Sequence, residues 1–193
     1  MLGFLSLGLA ACDEDDSAVF VSSVQPNFTE LDLTTDGALP GTWSYEGELT
    51  LVFQSREQSQ YDVVLEENEN GKRRTSHFEG HLFRLGPDTF LDLYPTQLPD
   101  GSEFYQLHFF PSHTVAKIEF FGDEMRLTFL SAPWLSREIK DGAISLPHAI
   151  TNGALLLTAT TKEIQEVLSA NSSNEQAFSE PIPFEQVTHE EER

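Results

Sequence analysis

From Leu39 onwards the sequence is cut into short pieces by residues that turns favour. Asn70-Gly71, Gly86-Pro87-Asp88, Pro99-Asp100-Gly101, Gly122-Asp123, Asp141-Gly142 and Asn152-Gly153 each supply turn chemistry, through a glycine free to take positive φ or a proline with φ preset. Between them lie alternating or β-rich runs at 43–53, 61–67, 75–85, 89–94, 104–110, 114–121, 125–130 and 154–158. Short strands joined by hairpin-type turns predict a mainly β domain, an antiparallel eight-stranded barrel, closed or half-open. The 15 Phe, with Val, Ile, Thr and Tyr, fit a half-buried pleated surface, and 39% hydrophobic residues in 193 suffice for the core of one domain.

Two helices interrupt the strands. Residues 133–140 open on Pro133, which suits a first helical position, and stop at Asp141-Gly142. Thr160 and Glu163 form a capping-box pattern, and Ile164, Val167 and Leu168 follow at i, i+3 and i+4, so that one face packs on the sheet.

The formal charge of −21 is unevenly distributed. Residues 13–38 hold seven acids and no base, and residues 172–193 hold six acids and Arg193. Acidic flanks of this kind repel one another and are expected to stay extended. An anionic chain also gains nothing from counterion release at a phosphate backbone, which argues against a nucleic-acid partner. A like-charged membrane surface would repel it, so membrane attachment would need a lipid. The basic cluster Lys72-Arg73-Arg74 falls at an expected hairpin tip.

Cys12 stands alone, so neither an internal disulfide nor a four-thiolate zinc site is available. It closes an apolar run, 2–11, that is shorter than the ~20 residues a membrane span takes and that turns abruptly acidic at Asp13. The run reads as a secretion signal. Leu9-Ala10-Ala11-Cys12 resembles the lipobox of bacterial lipoprotein precursors. That resemblance implies acylation of Cys12 as the first mature residue and localisation to the bacterial cell envelope, on its periplasmic or extracellular face. The alternative is an apolar N-terminal element with a buried thiol. The expected organisation is a signal peptide at 1–11, an acidic lipid-anchored tether at 12–38, the barrel at 39–171 and a disordered acidic tail at 172–193.

Leu39-Pro40-Gly41-Thr42-Trp43 resembles the Gly-x-Trp segment that opens lipocalin and other calycin barrels. The resemblance implies an eight-stranded barrel able to hold an apolar ligand, with Trp43 plugging the closed end and an Arg, here Arg126, stacked on it. The Thr-Asp-Tyr motif of lipocalins is missing.

His77, Glu79 and His81 fall on one face of a strand, but the two imidazoles are ~13 Å apart along it and cannot share an ion without a bulge. His108 and His113 flank Pro111; a bend there would bring them toward each other or toward His81, as a metal or acid/base group. No catalytic cofactor is expected, and a divalent metal is the one these histidines would take. Trp43, Tyr45, Tyr61, Phe83, Tyr94, Tyr105 and Phe109 are the aromatics that would line a ligand pocket if they are not simply core. Asp62, Glu79 and Asp92 form no dyad recognisable from spacing. The leading expectation is a monomeric, non-catalytic envelope lipoprotein binding an apolar or amphipathic small molecule or a partner protein. The alternatives are a structural or interaction lipoprotein with a filled barrel, and a hydrolase or metal enzyme using His81, His108 and His113.

Overall fold

The structure is a computed structural model and describes residues 20–56, 59–69, 71–98, 102, 106, 109–151 and 154–187. The expected signal peptide at 1–11, Cys12, Tyr105 and His108 therefore lie outside the described residues. Eight strands close an antiparallel barrel in which every strand but one neighbours its successor in sequence: β2 (Gly41–Tyr45), β3 (Leu49–Ser55), β4 (Gln60–Glu69), β5 (Lys72–Leu85), β6 (Asp88–Pro95), β7 (Thr114–Phe121), β8 (Glu124–Phe129) and, after an excursion, β11 (Ile182–Gln186). A separate sheet of order β1-β10-β9 comprises β1 (Phe20–Ser23), β9 (His148–Thr151) and β10 (Ala154–Leu157), with β1 parallel to β10. Helices α1 (Ala132–Lys140) and α2 (Thr161–Asn171) complete the excursion.

The pleat divides the side chains into two cores. Trp43, Leu51, Phe53, Val63, Leu82, Leu91, Ile118, Met125, Leu127 and Phe184 fill the barrel. The alternate positions Phe83, Phe90 and Val115 form the base of a second core on the outer wall. Leu155 and Leu157 of β10, Trp134 and Leu135 of α1, and Ile164 and Leu168 of α2 cover it. Phe83 and Phe90 stack there with centroids 5.5 Å apart, both fully buried. Interior apolar and exterior partly charged positions are the reverse of an outer-membrane barrel, whose strands put apolar side chains outward.

Both expected helices form for the expected reasons. The Ser131 hydroxyl accepts from the Trp134 amide to cap α1, and the capping box of Thr160 with Glu163 is complete.

Eight barrel strands are present, but not the eight that the sequence suggests. The run 43–53 is two strands hinged at Glu46-Gly47, both with positive φ. The run 154–158 is a strand of the second sheet, because Leu155 and Leu157 cover the outer wall instead of entering the barrel. Within 104–110 the described residues are not in a strand: Gln106 is helical, and Phe109 and Phe110 lie exposed in the connection to β7.

The expected tail supplies the last strand. Ile182 and Phe184 point inward; β11 pairs with β8 over four residues, Ile182 to Glu185, and with β2 at Glu185 and Gln186, after which the Val187 amide donates to the Thr42 carbonyl. Pro183 donates no amide, and by this register it faces Glu46, where β2 has already turned. The expected tether is likewise part of the domain over residues 20–38. Thr34 and Arg84 donate backbone bonds to Leu82 and Asp32, and Thr161 and Gln165 of α2 donate to the carbonyls of Pro26 and Asn27.

Candidate functional site

The barrel has two unlike ends. Where β2 begins, Leu39, Trp43, Phe53, Tyr61, Met125 and Phe184 are at most 3% exposed. The chain from Thr34 to Pro40 crosses this end, and the Trp43 indole donates to the Leu39 carbonyl at 2.9 Å. Trp43 thus takes the plugging place that the calycin resemblance implies. Arg126 does not take its assigned place. It alternates with the inward Met125 and Leu127, so it faces outward, over the Phe121 ring at 4.4 Å. At the opposite end the inward residues Tyr45, Leu49, Leu65, Phe78, Leu93, Phe129 and Ile182 are only half-buried and form an apolar rim. Beyond this rim the β4–β5 hairpin projects past the last β5–β6 pair, Phe78 with Pro95, carrying Lys72-Arg73-Arg74 at its tip. Arg73 reaches Glu66 at 3.5 Å.

The aromatics therefore do not line one pocket. Trp43, Tyr45 and Tyr61 face the barrel interior, Phe83 belongs to the outer core, and Phe109 lies in the connection after β6. Tyr94 packs its ring against His113 at 4.5 Å, on the outer wall.

That wall carries a buried polar network. Asp92, wholly buried, accepts from Asn27 Nδ2 at 2.5 Å and the Asn27 amide at 3.2 Å, and its Oδ2 lies 2.7 Å from His113 Nδ1. The Ser23 hydroxyl bonds the Gln25 carbonyl and Asn27 Oδ1. His81 is the cross-strand partner of Asp92, with its ring 4.6 Å from Phe28 and its Nε2 3.8 Å from Glu79. Burial holds the His81 pKa below its usual value, with His113 acting in the same direction and the Glu79 and Asp92 carboxylates opposing. The face shared by His81 and Glu79 is thus as expected, and His81 and His113 do converge, on Asp92. Among the described residues no group of three His, Cys, Asp or Glu is placed to hold a metal ion.

Chemically, the carboxylate orients one imidazole, but the Ser23 hydroxyl is engaged by Gln25 and Asn27. What the network does is fasten the segment after β1 to the barrel, with Asn27 buried.

A third feature lies between the helices. A cleft of about 620 Å³ opens between α1, α2 and the turn after α1. Its lining is mostly polar, with Glu138, Glu163, Glu166 and Asn171 beside Ile144 and Val167, while Trp134 is almost wholly buried.

No family model, curated protein or solved structure matched the chain. The site is accordingly read from its own chemistry. Asp92 had a signal in the sequence, as the one acid within Phe90-Leu91-Asp92-Leu93, where an outward position flanked by apolar neighbours needs partners if it is covered. The cleft had none, because its walls come from two helices whose mutual placement is tertiary.

Proposed function

We propose that the chain is a non-catalytic, lipid-anchored envelope protein that uses its barrel as a scaffold and binds a small amphipathic molecule in the cleft between α1 and α2. The observation that carries this reading is the cleft itself, about 620 Å³ between the two helices, beside a barrel filled by its own side chains. Ligand sites typically fall within ~300–1,000 Å³ and combine an apolar lining with a few polar groups. Anchoring rests on the lipobox resemblance at Cys12 and on a net charge that gives the chain no electrostatic hold on an anionic bilayer.

Two measurements test it. Radiolabelled palmitate is expected on the protein in a bacterial host and to be lost with Cys12→Ser; an unlabelled wild-type chain overturns the anchor. Native mass spectrometry of the described domain is expected to show a co-purifying amphiphile that Ala170→Trp, which fills the cleft, displaces.

The half-exposed rim favours a second reading, an apolar ligand seated at the open end of the barrel. A ligand lost with Leu93→Trp and retained with Ala170→Trp would establish that reading in place of the first.

A further inference from the structure

We infer that the open edge of β9 pairs with the same strand of a second copy of this chain, joining two three-stranded sheets across a two-fold axis. β9 has β10 on one side and, among the described residues, no strand on the other. The Thr158 amide donates to the Pro147 carbonyl at 2.9 Å. By the alternation of an antiparallel ladder, Pro147, Ala149 and Thr151 then face β10 with their backbone groups, while His148 and Ile150 turn their amides and carbonyls to the open edge. Such a row of groups templates another strand unless charge, proline or a bulge guards it. No guard is in place here. The residues from Gly142 to Thr161 include no Asp, Glu, Lys or Arg in a chain of which 22% is charged, and Pro147 has its nitrogen toward β10.

Register and charge select a second copy over a foreign strand. When β9 is laid antiparallel on itself with Ala149 on the axis, His148 of each copy exchanges both backbone bonds with Ile150 of the other. Ala149 then meets its counterpart at the non-bonded position, where the two chains approach most closely and a small side chain fits best. Ile150, 55% exposed in the single chain, gains His148 of the other copy as its cross-strand neighbour. Two copies carry −21 each and repel one another over most of their surfaces. The strands β1, β9 and β10 contain no charged residue, so at this sheet no like charges are opposed.

The test uses the full chain carrying Cys12→Ser, so that an introduced cysteine is its sole thiol. Under mild oxidation Ala149→Cys is expected to form disulfide-linked dimers about tenfold faster than Leu31→Cys, which is 96% exposed on the segment after β1 and reports random collision. In sedimentation the unlinked chain is expected to dimerise, about fivefold more tightly at ~0.5 M than at ~0.05 M salt, because screening relieves the repulsion between two anionic copies. Ile150→Lys puts a charge on the edge, and Ile150→Pro removes an outward amide while leaving the bonds to β10. Each should shift the chain to monomer, and Leu31→Lys should not. A chain monomeric at both salt levels, or Ala149→Cys cross-linking no faster than Leu31→Cys, overturns the pairing and leaves the edge to a strand of another protein. A dimer that survives both Ile150 variants overturns β9 as its seat.

Discussion

Replacing Gly80 by alanine probes whether the barrel is filled at its middle. Gly80 lies on β5 facing inward, with no positive φ that would exclude a side chain. A Cβ built there sits 2.8 Å from Val63 Cγ2, with Leu91 Cδ1 and Leu93 Cδ2 at 3.5 and 3.6 Å. Ordinary contact begins near 3.4 Å, so Val63 must retreat by about half an ångström. Val63 is 1% exposed, and its branched side chain has few alternative rotamers. Overpacking of this kind costs about 1–3 kcal/mol, offset by about 0.4–1 kcal/mol from the smaller entropy of an unfolded chain with one glycine fewer. The net loss is about 1–2 kcal/mol, which lowers a urea midpoint by roughly 0.5–1 M at a slope of roughly 2 kcal/mol per M. On a Val63→Ala background the same substitution should become neutral or stabilising, a coupling of about 1–2 kcal/mol. A midpoint for Gly80→Ala equal to or above wild type would refute the filled interior and restore the deep carrier.

Asp92→Ala strands the Asn27 amide, its side-chain nitrogen and His113 on a covered wall, so it should cost about 3–5 kcal/mol and expose residues 24–34 to limited proteolysis; unchanged cleavage there would deny the network its fastening role. Because burial holds His81 below its ordinary 6.5, the unfolded chain takes up this proton first as the solution is acidified. The contribution of His81 is complete above pH 6.5 and declines below it, so urea midpoints should fall from about pH 7.5 to about 5.5, and His81→Phe should flatten that slope. Thr160→Ala removes the cap of α2 and should cost about 1 kcal/mol in the same assay, with no loss if the helix is held by packing alone.

Local patterns carried much of this architecture. The turn residues, the period-2 runs and the two capping signals determined a mainly β chain with two short helices, because φ preferences and side-chain alternation act within a few residues. Which strands close the barrel was decided elsewhere. The segment Ile182-Pro183-Phe184 is rich in proline and flanked by glutamate, yet it becomes a strand because the gap between β2 and β8 offers it hydrogen bonds on both sides. Ala154 to Leu157 has a stronger β pattern and yet lies outside the barrel, pairing with β1 and β9 while Leu155 and Leu157 join the core that includes Phe83 and Phe90. The candidate sites divide in the same way. The sequence alone placed His81 and Glu79 on one face. Only the fold brought His81 and His113 to Asp92 and Asn27, and set α1 opposite α2 so that Glu138 shares one cleft with Glu163 and Glu166, because contacts between residues far apart in the chain are settled by packing.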